Sequence, residues 1–177
     1  MDLIDCRLQR YLETEALLNT FFAALGYCRT RCLPALRRAG GGRPVAACCQ
    51  DRYYARCDLD HPAFVRLRQA REALYGRPQD HRRWDPVSPC EYHDPLNGCA
   101  LATHKSPTCL AFLCPEGIDH LRTTFGIFTY DFAGMGGALE WILTGDLPEA
   151  AFRELQAGIR AMTARIQEAG RLRVTGG

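Results

Sequence analysis

The sequence lacks a long apolar run. No window approaches the roughly 20 apolar residues that a membrane-spanning helix needs, and Arg7, Arg10 and Glu13 interrupt the start of the chain before an apolar segment of signal-peptide length develops. Lys105 is the only lysine and the formal net charge is +2, so no strong field for nucleic acid or anionic lipid is indicated. We therefore expect a cytoplasmic protein with no membrane partner and no clear nucleic-acid partner.

Several familiar motifs are also missing. No C-x2-C pair is present, which excludes the usual thioredoxin-like redox centre and the zinc ribbon, and a C-x3-C-x2-C radical-initiating triad would need a cysteine at Ala35. The Gly-rich run 39–44 lacks the Lys-Ser/Thr ending of a phosphate loop. A Gly-flanked serine elbow and a paired-carboxylate motif are absent too. No catalytic residue is identified, so a binding role is favoured over an enzymatic one, which stays open.

Cysteine is what the chain does have, with ten residues in 177. In a reducing cytosol, thiols serve as metal ligands or redox groups more often than as disulfides. The stretch from Cys90 to Cys114 holds four of them at C-x8-C-x9-C-x4-C, separated by turn formers such as Asn97-Gly98. Because such a stretch folds back on itself and buries little apolar surface, metal ligation is predicted to hold it together.

Four of the six cysteines that precede this frame form two pairs. Cys28 and Cys32 would lie about one turn apart on a helix, able to share a metal, whereas the adjacent Cys48 and Cys49 point in different directions. Cys6 has no neighbour at ligand spacing and is predicted to be a small hydrophobe. Thiolates select zinc or iron-sulfur clusters over hard ions, so zinc or an iron-sulfur cluster is the predicted cofactor. The predicted ligands are Cys28, Cys32, Cys48, Cys49, Cys90, Cys99, Cys109 and Cys114, with His93 and His104 as alternatives in a zinc site.

Apolar periodicity predicts a mainly α-helical fold whose helices pack around an irregular, cysteine-rich metal-binding core. We divide the chain into an N-terminal helix (1–26), a cysteine-cluster metal-binding domain (27–120) and C-terminal helices that pack on the same domain (121–172). In the last helix, apolar residues recur at steps of three and four from Phe152 to Ala169. This seam is predicted to pack on the domain's own helices, with a homo-oligomer or protein partner as the alternative.

The cysteine pattern resembles that of the YkgJ-type cysteine-cluster family, described as a zinc- or iron-chelating domain. The matching motifs are C-x3-C, C-C, C-x-Y-x5-G-C from Cys90 to Cys99 and P-x-C-x4-C from Pro107 to Cys114, and they cover roughly residues 28 to 120. The chain departs from the family in its Gly-rich insertion between Cys32 and Cys48 and in Ser106, where the family commonly has Arg before the proline.

The resemblance implies a small cytoplasmic metal-binding protein of bacterial type. Larger proteins with similar clusters include flagellin lysine methylases, which keeps a cluster-dependent, methylase-like transferase as an alternative. A second alternative is an interaction module in which the metal is purely structural.

Overall fold

The computed structural model describes residues 2–41, 53–55, 60–78, 90–94 and 98–175, and these ranges are mainly helical, as predicted. A π-helical turn at Cys28–Cys32 follows the first helix, and a 3-10 turn lies at Tyr53–Ala55. Two short strands, β1 (His93–Asp94) and β2 (Gly98–Cys99), pair antiparallel with His93 opposite Cys99. The α-helices are α1 (Leu3–Leu25), α2 (Leu33–Ala39), α3 (Pro62–Tyr75), α4 (Pro107–Ala111), α5 (Pro115–Phe125), α6 (Phe132–Thr144) and α7 (Glu149–Thr175).

The helices end where the sequence predicts. Gly26 and Gly145 take left-handed backbone conformations, with φ of 61° and 87°, directly after α1 and α6, because glycine has no Cβ to clash there. His61 starts α3, since its Nδ1 accepts a hydrogen bond from the backbone N–H of Ala63 at 3.2 Å. Pro34 follows Cys32 by two residues, a position that predicts the end of a helix containing Cys28 and Cys32. It lies instead in the first turn of α2, where its missing N–H leaves no hydrogen bond unmade.

The apolar core is built on α1, which packs against α3, α6 and α7. The predicted seam of α7 is part of that core, because Phe152, Ile159 and Ile166 are buried and Leu155 and Met162 pack partly buried beside them. Each fully buried leucine-sized side chain contributes about 1.5–3 kcal/mol. The fully buried apolar positions include Tyr11, Leu18, Phe21, Leu121, Leu139, Leu143 and Ile159.

Apolar periodicity predicts that Phe128, Trp141 and Leu74 lie on buried helix faces, but all three are exposed. Phe128 is 71% exposed because it follows the end of α5, where the helical period no longer applies. Trp141 is 55% exposed because it lies about 200° around α6 from buried Leu139. Leu74, predicted as core, is 62% exposed in the last turn of α3, beyond the buried positions of that helix.

The cysteine-bearing segments lie beside this core and form a second, smaller cluster of buried residues, namely Tyr54, Cys90, Tyr92 and Leu101. The mainly helical class is therefore confirmed, while the metal-binding nature of the cysteine region stays a prediction. Within the part of the chain that the structure describes, no helix is both long and apolar enough to cross a membrane.

Candidate metal centre

Four thiols line one cavity of about 400 Å³ near the C-terminal end of α1. Each comes from a different segment: Cys28 from the π-helical turn, Cys90 from the residues before β1, Cys99 from β2 and Cys109 from α4. His93 also lines the cavity. Most of the remaining wall is aromatic or aliphatic, including Phe22, Leu25, Tyr54, Tyr92, Leu101, Leu110 and Phe112.

Short-range backbone hydrogen bonds position the two frame thiols nearest the strands. The N–H of His93 donates to the Cys90 backbone oxygen at 3.1 Å, and the N–H of Ala100 donates to the Tyr92 backbone oxygen at 2.8 Å. The Tyr92 hydroxyl donates to the backbone oxygen of Gly76 at 3.0 Å, which attaches this hairpin to the end of α3. Cys90 and Cys99 therefore sit on a hairpin that is anchored at both its backbone and its aromatic side chain.

Cys109 is placed by the start of α4. Ser106 caps this short helix, because its hydroxyl oxygen accepts from the Cys109 N–H at 3.3 Å, and Pro107 occupies the first helical position. The turn former that the sequence places before Cys109 thus acts as a helix cap.

A buried carboxylate holds the loop between Cys99 and Cys109 against α1. Glu15, only 1% exposed, accepts hydrogen bonds from the backbone N–H groups of His104 at 2.7 Å and Lys105 at 3.0 Å. Tyr11 donates its hydroxyl hydrogen to the Lys105 backbone oxygen at 2.7 Å, and the Lys105 ammonium donates to Asn19 at 2.7 Å. His104 has φ of 61°, a left-handed conformation that this network fixes. Helix α1 therefore sets the path of the chain between two candidate ligands.

Arg71 is a second buried charge at this region, 4% exposed on α3. Its guanidinium carbon lies 5.3 Å from the centre of the Tyr54 ring and 5.8 Å from that of Tyr92, within cation–π range. Its Nε is buried, and no residue of the described ranges forms a hydrogen bond with it. The two aromatic walls of the cavity thus lie against a buried cation.

Burial raises the pKa of three of the cavity thiols, which favours their protonated form. It raises the pKa of Cys109 to about 12, reinforced by nearby Cys99 and Cys90 and opposed by the Ser106 hydroxyl and Arg71. Burial also raises the pKa of Cys99, with Lys105 acting in the opposite direction. Cys28 is exposed as a residue, but burial of its thiol and the nearby Cys32 and Cys114 raise its pKa to about 11. Thiolates here need a compensating positive charge.

A second group of thiols surrounds Tyr27. Burial raises the pKa of the Tyr27 phenol, and Cys114, Cys32, Glu116 and Cys28 add to that rise, which places them around it. Cys114 occupies the N-cap position of α5. It is not among the described residues that line the cavity, so it lies with Cys32 rather than with the other three frame cysteines. Cys28 belongs to both groups.

The remaining predicted candidates divide as follows. Cys48 and Cys49 lie outside the described residues. His104 is not among the described residues that line the cavity, and its ring nitrogen Nδ1 forms a hydrogen bond with the Thr103 hydroxyl oxygen at 2.9 Å. Cys6 is half-buried in α1. Among the residues described, no three Cys, His, Asp or Glu side chains form a group able to hold a metal ion as they stand.

Sequence reasoning missed Glu15 and Arg71, although a signal for both exists. Glu15 falls between Tyr11 and Leu18, and Arg71 falls four residues after Leu67, at positions where the helical period requires an apolar side chain. A charge on the apolar face of a predicted helix indicates a buried polar contact.

Comparison with protein-family models, with curated proteins and with solved structures finds no match to this chain. The resemblance to the YkgJ-type family therefore rests on the cysteine motifs alone, and any assignment of function depends on the site itself.

Proposed function

We propose that the protein binds metal through cysteine thiolates at this cavity, with Cys90, Cys99 and Cys109 among the ligands. The observation that supports the proposal most directly is that four thiols lie around one cavity. Segments far apart in the sequence bring these thiols to a wall that is largely apolar. The cavity lies at the edge of the hydrophobic core of the helices, which contributes Leu25 and Leu110 to its wall.

The chemistry of the donor set suits a soft metal. A thiolate in apolar surroundings is unfavourable without a cation, and zinc and iron are the metals that sulfur donors usually hold in proteins. When bound, such a metal supplies the positive charge that the buried thiols lack. Each ligand then releases its proton, so binding is coupled both to pH and to the folding of the cysteine region.

The hydrogen bonds around the cavity hold the segments that carry Cys99 and Cys109, whereas the thiols must still close around a metal, because no three donors of the described residues form a group as they stand. Glu15 fixes the loop that leads to Cys109, and Tyr92 anchors the hairpin that carries Cys99. Cys32, Cys48, Cys49 and Cys114 remain predicted ligands from the sequence. A reducing cytoplasm is the compartment in which these thiols would stay available.

Elemental analysis of protein purified without oxygen tests the proposal. We expect bound zinc or iron in the wild-type protein and loss of most of it in Cys99→Ser and Cys109→Ser, each of which removes a ligand. Cys6→Ser is the matched control, because Cys6 lies on α1 and does not line the cavity. Wild-type protein without metal, or an equal loss of metal in Cys6→Ser, would contradict the proposal.

A further inference from the structure

The cavity extends further than a metal site needs. Asn19, Ala23 and Gly26 line it along the last turns of α1 and its C-cap, and this stretch of helix is about 10 Å long at 1.5 Å per residue. A metal ion, in contrast, holds its sulfur ligands at only about 2.3 Å. With a volume of about 400 Å³, the cavity therefore has room for a ligand other than a metal.

The wall of the cavity suits a ligand with a planar apolar body. Five phenylalanine and tyrosine side chains of the described ranges line it, namely Phe22, Tyr27, Tyr54, Tyr92 and Phe112. Tyr54 packs edge-on against Tyr92 with ring centres 5.1 Å apart. Cavities of roughly 300–1,000 Å³ with such walls and a few polar groups are typical binding sites for small organic molecules. Aromatic side chains pack favourably against the rings of a ligand, either stacked or edge-on.

The charges at the cavity have one sign. Among the lining residues that the structure describes, Arg29 and Lys105 are the charged ones, and both are cations. Arg29 is exposed, whereas the side chain of Lys105 is only 16% exposed. Because water and salt screen a mostly buried charge less than an exposed one, Lys105 attracts an anion in the cavity more strongly than Arg29 does.

The Lys105 ammonium has a donor left for a ligand. It donates to Asn19 Oδ1 at 2.7 Å and to the backbone oxygen of Ala102 at 3.2 Å, which uses two of its three N–H groups. The Glu15 carboxylate lies 4.0 Å away, beyond hydrogen-bond distance, and accepts from two backbone N–H groups instead. No other described residue accepts from this ammonium. Because Asn19 also lines the cavity, its bond to Lys105 holds the cation at the wall.

We propose that the cavity binds a small aromatic carboxylate, with its rings among the aromatic side chains and its carboxylate on the Lys105 ammonium. The inference goes beyond metal binding and does not rest on it, because none of the groups that carry it is a thiol.

Isothermal titration of the full-length protein, as purified, with 2-naphthoate and with 2-naphthylmethanol tests the proposal. The two probes share one ring system, and only the first carries a charge. We expect the wild-type protein to bind 2-naphthoate about tenfold more tightly, the effect of one hydrogen bond to a charged group. Lys105→Gln should lose this preference and still bind 2-naphthylmethanol as the wild-type protein does. Equal weakening of both probes would mean that Lys105 only supports the loop, and would overturn the proposal.

A second pair of variants locates the binding site. Ala23 lines the cavity from an exposed position on α1, so the indole of Ala23→Trp fills the cavity without entering the core. We expect this variant to lose the binding of both probes. Ala157→Trp, at an exposed position on α7, is the matched control and should bind both as the wild-type protein does. Undiminished binding in Ala23→Trp would place the ligand elsewhere and overturn the proposal.

The metal content of the same samples separates this inference from the proposed function. Metal without binding of 2-naphthoate overturns the carboxylate site and leaves the thiolate metal site. Charge-dependent binding of 2-naphthoate to wild-type protein that holds no metal supports the carboxylate site and overturns the proposed function. The absence of both overturns both.

Discussion

The helical body and the cysteine region are held together by different forces. The body, α1 with α6 and α7, buries large apolar side chains such as Leu18, Leu139 and Ile159 almost completely. Between Cys90 and Cys114 the described residues form two two-residue strands and one five-residue helix, and together with Tyr54 they contribute a small cluster of buried side chains. We call this stretch the cysteine region. Hydrogen bonds with the side chains of Tyr11, Glu15 and Asn19 hold its loop to the body. The difference indicates that apolar burial is the main force that holds the body, while the cysteine region depends more on polar contacts and, in our proposal, on a metal.

The largest expected effect comes from the body. Leu139→Ala removes a side chain that is fully buried in α6, and the resulting cavity should lower the free energy of unfolding by about 2–5 kcal/mol. Urea denaturation followed by far-UV circular dichroism measures this. Leu74→Ala, at a leucine 62% exposed, is the control and should change the free energy by less than about 0.5 kcal/mol. Equal effects of the two substitutions would contradict the assignment of the core.

The body was also the part that the sequence could predict. A helical period and a following glycine are local signals, so α1 and its end at Gly26 follow from the residues themselves. The helical period predicts burial wrongly at two positions. Phe128 lies past the end of its helix, and Trp141 is an aromatic residue on the face of α6 that points away from the core.

The candidate site was less predictable because its geometry depends on contacts between distant segments. Spacing groups Cys114 with Cys109, since only four residues separate them, yet they belong to different helices and approach different neighbours. Sequence distance does not show that the turn after α1 brings Cys28 to the cavity. The burial of Glu15 was detectable as a charge on an apolar face, but its partners, two N–H groups some 90 residues away, were not.

The second-largest expected effect comes from Glu15, which attaches the cysteine region to the body. Glu15→Ala removes the acceptor of both the His104 and the Lys105 N–H groups, and we expect the free energy of unfolding to fall by about 2–3 kcal/mol. Metal content should fall as well, because the loop that leads to Cys109 loses its attachment. Glu13→Ala, at an exposed position on the same helix, is the control. Unchanged stability in Glu15→Ala would mean that α1 does not hold the loop.

Removal of metal should affect the two regions unequally. Helices α6 and α7 contain no cysteine, so a chelator should leave most of the far-UV circular dichroism signal of the body in place. The near-UV signal should change more, since Tyr54 and Tyr92 line the cavity. The metal-free Cys109→Ser variant serves as the control for the chelator itself. Loss of the whole helical signal on chelation would show that the metal also stabilises the body.

The smallest effect is the pH dependence at the junction of the two regions. Burial raises the pKa of Glu15 above its usual value near 4.5, and the N–H groups of Lys105 and His104 and the charges of Lys105 and Arg71 only partly offset this. The folded protein thus holds the Glu15 proton more tightly than the unfolded chain does. This contribution to stability is fully present below the unfolded pKa and is lost as pH rises through the folded pKa.

Glu15→Gln isolates that contribution, because glutamine does not ionise in this range. We expect the free energy of unfolding of the wild-type protein to decrease relative to that of Glu15→Gln between pH 4 and pH 7, as measured by urea denaturation at each pH. The opposite slope would place the folded pKa below the unfolded one. In that case the two N–H hydrogen bonds and the nearby cations would outweigh burial, and Glu15 would attach the cysteine region to the body as a charge and not merely as an acceptor.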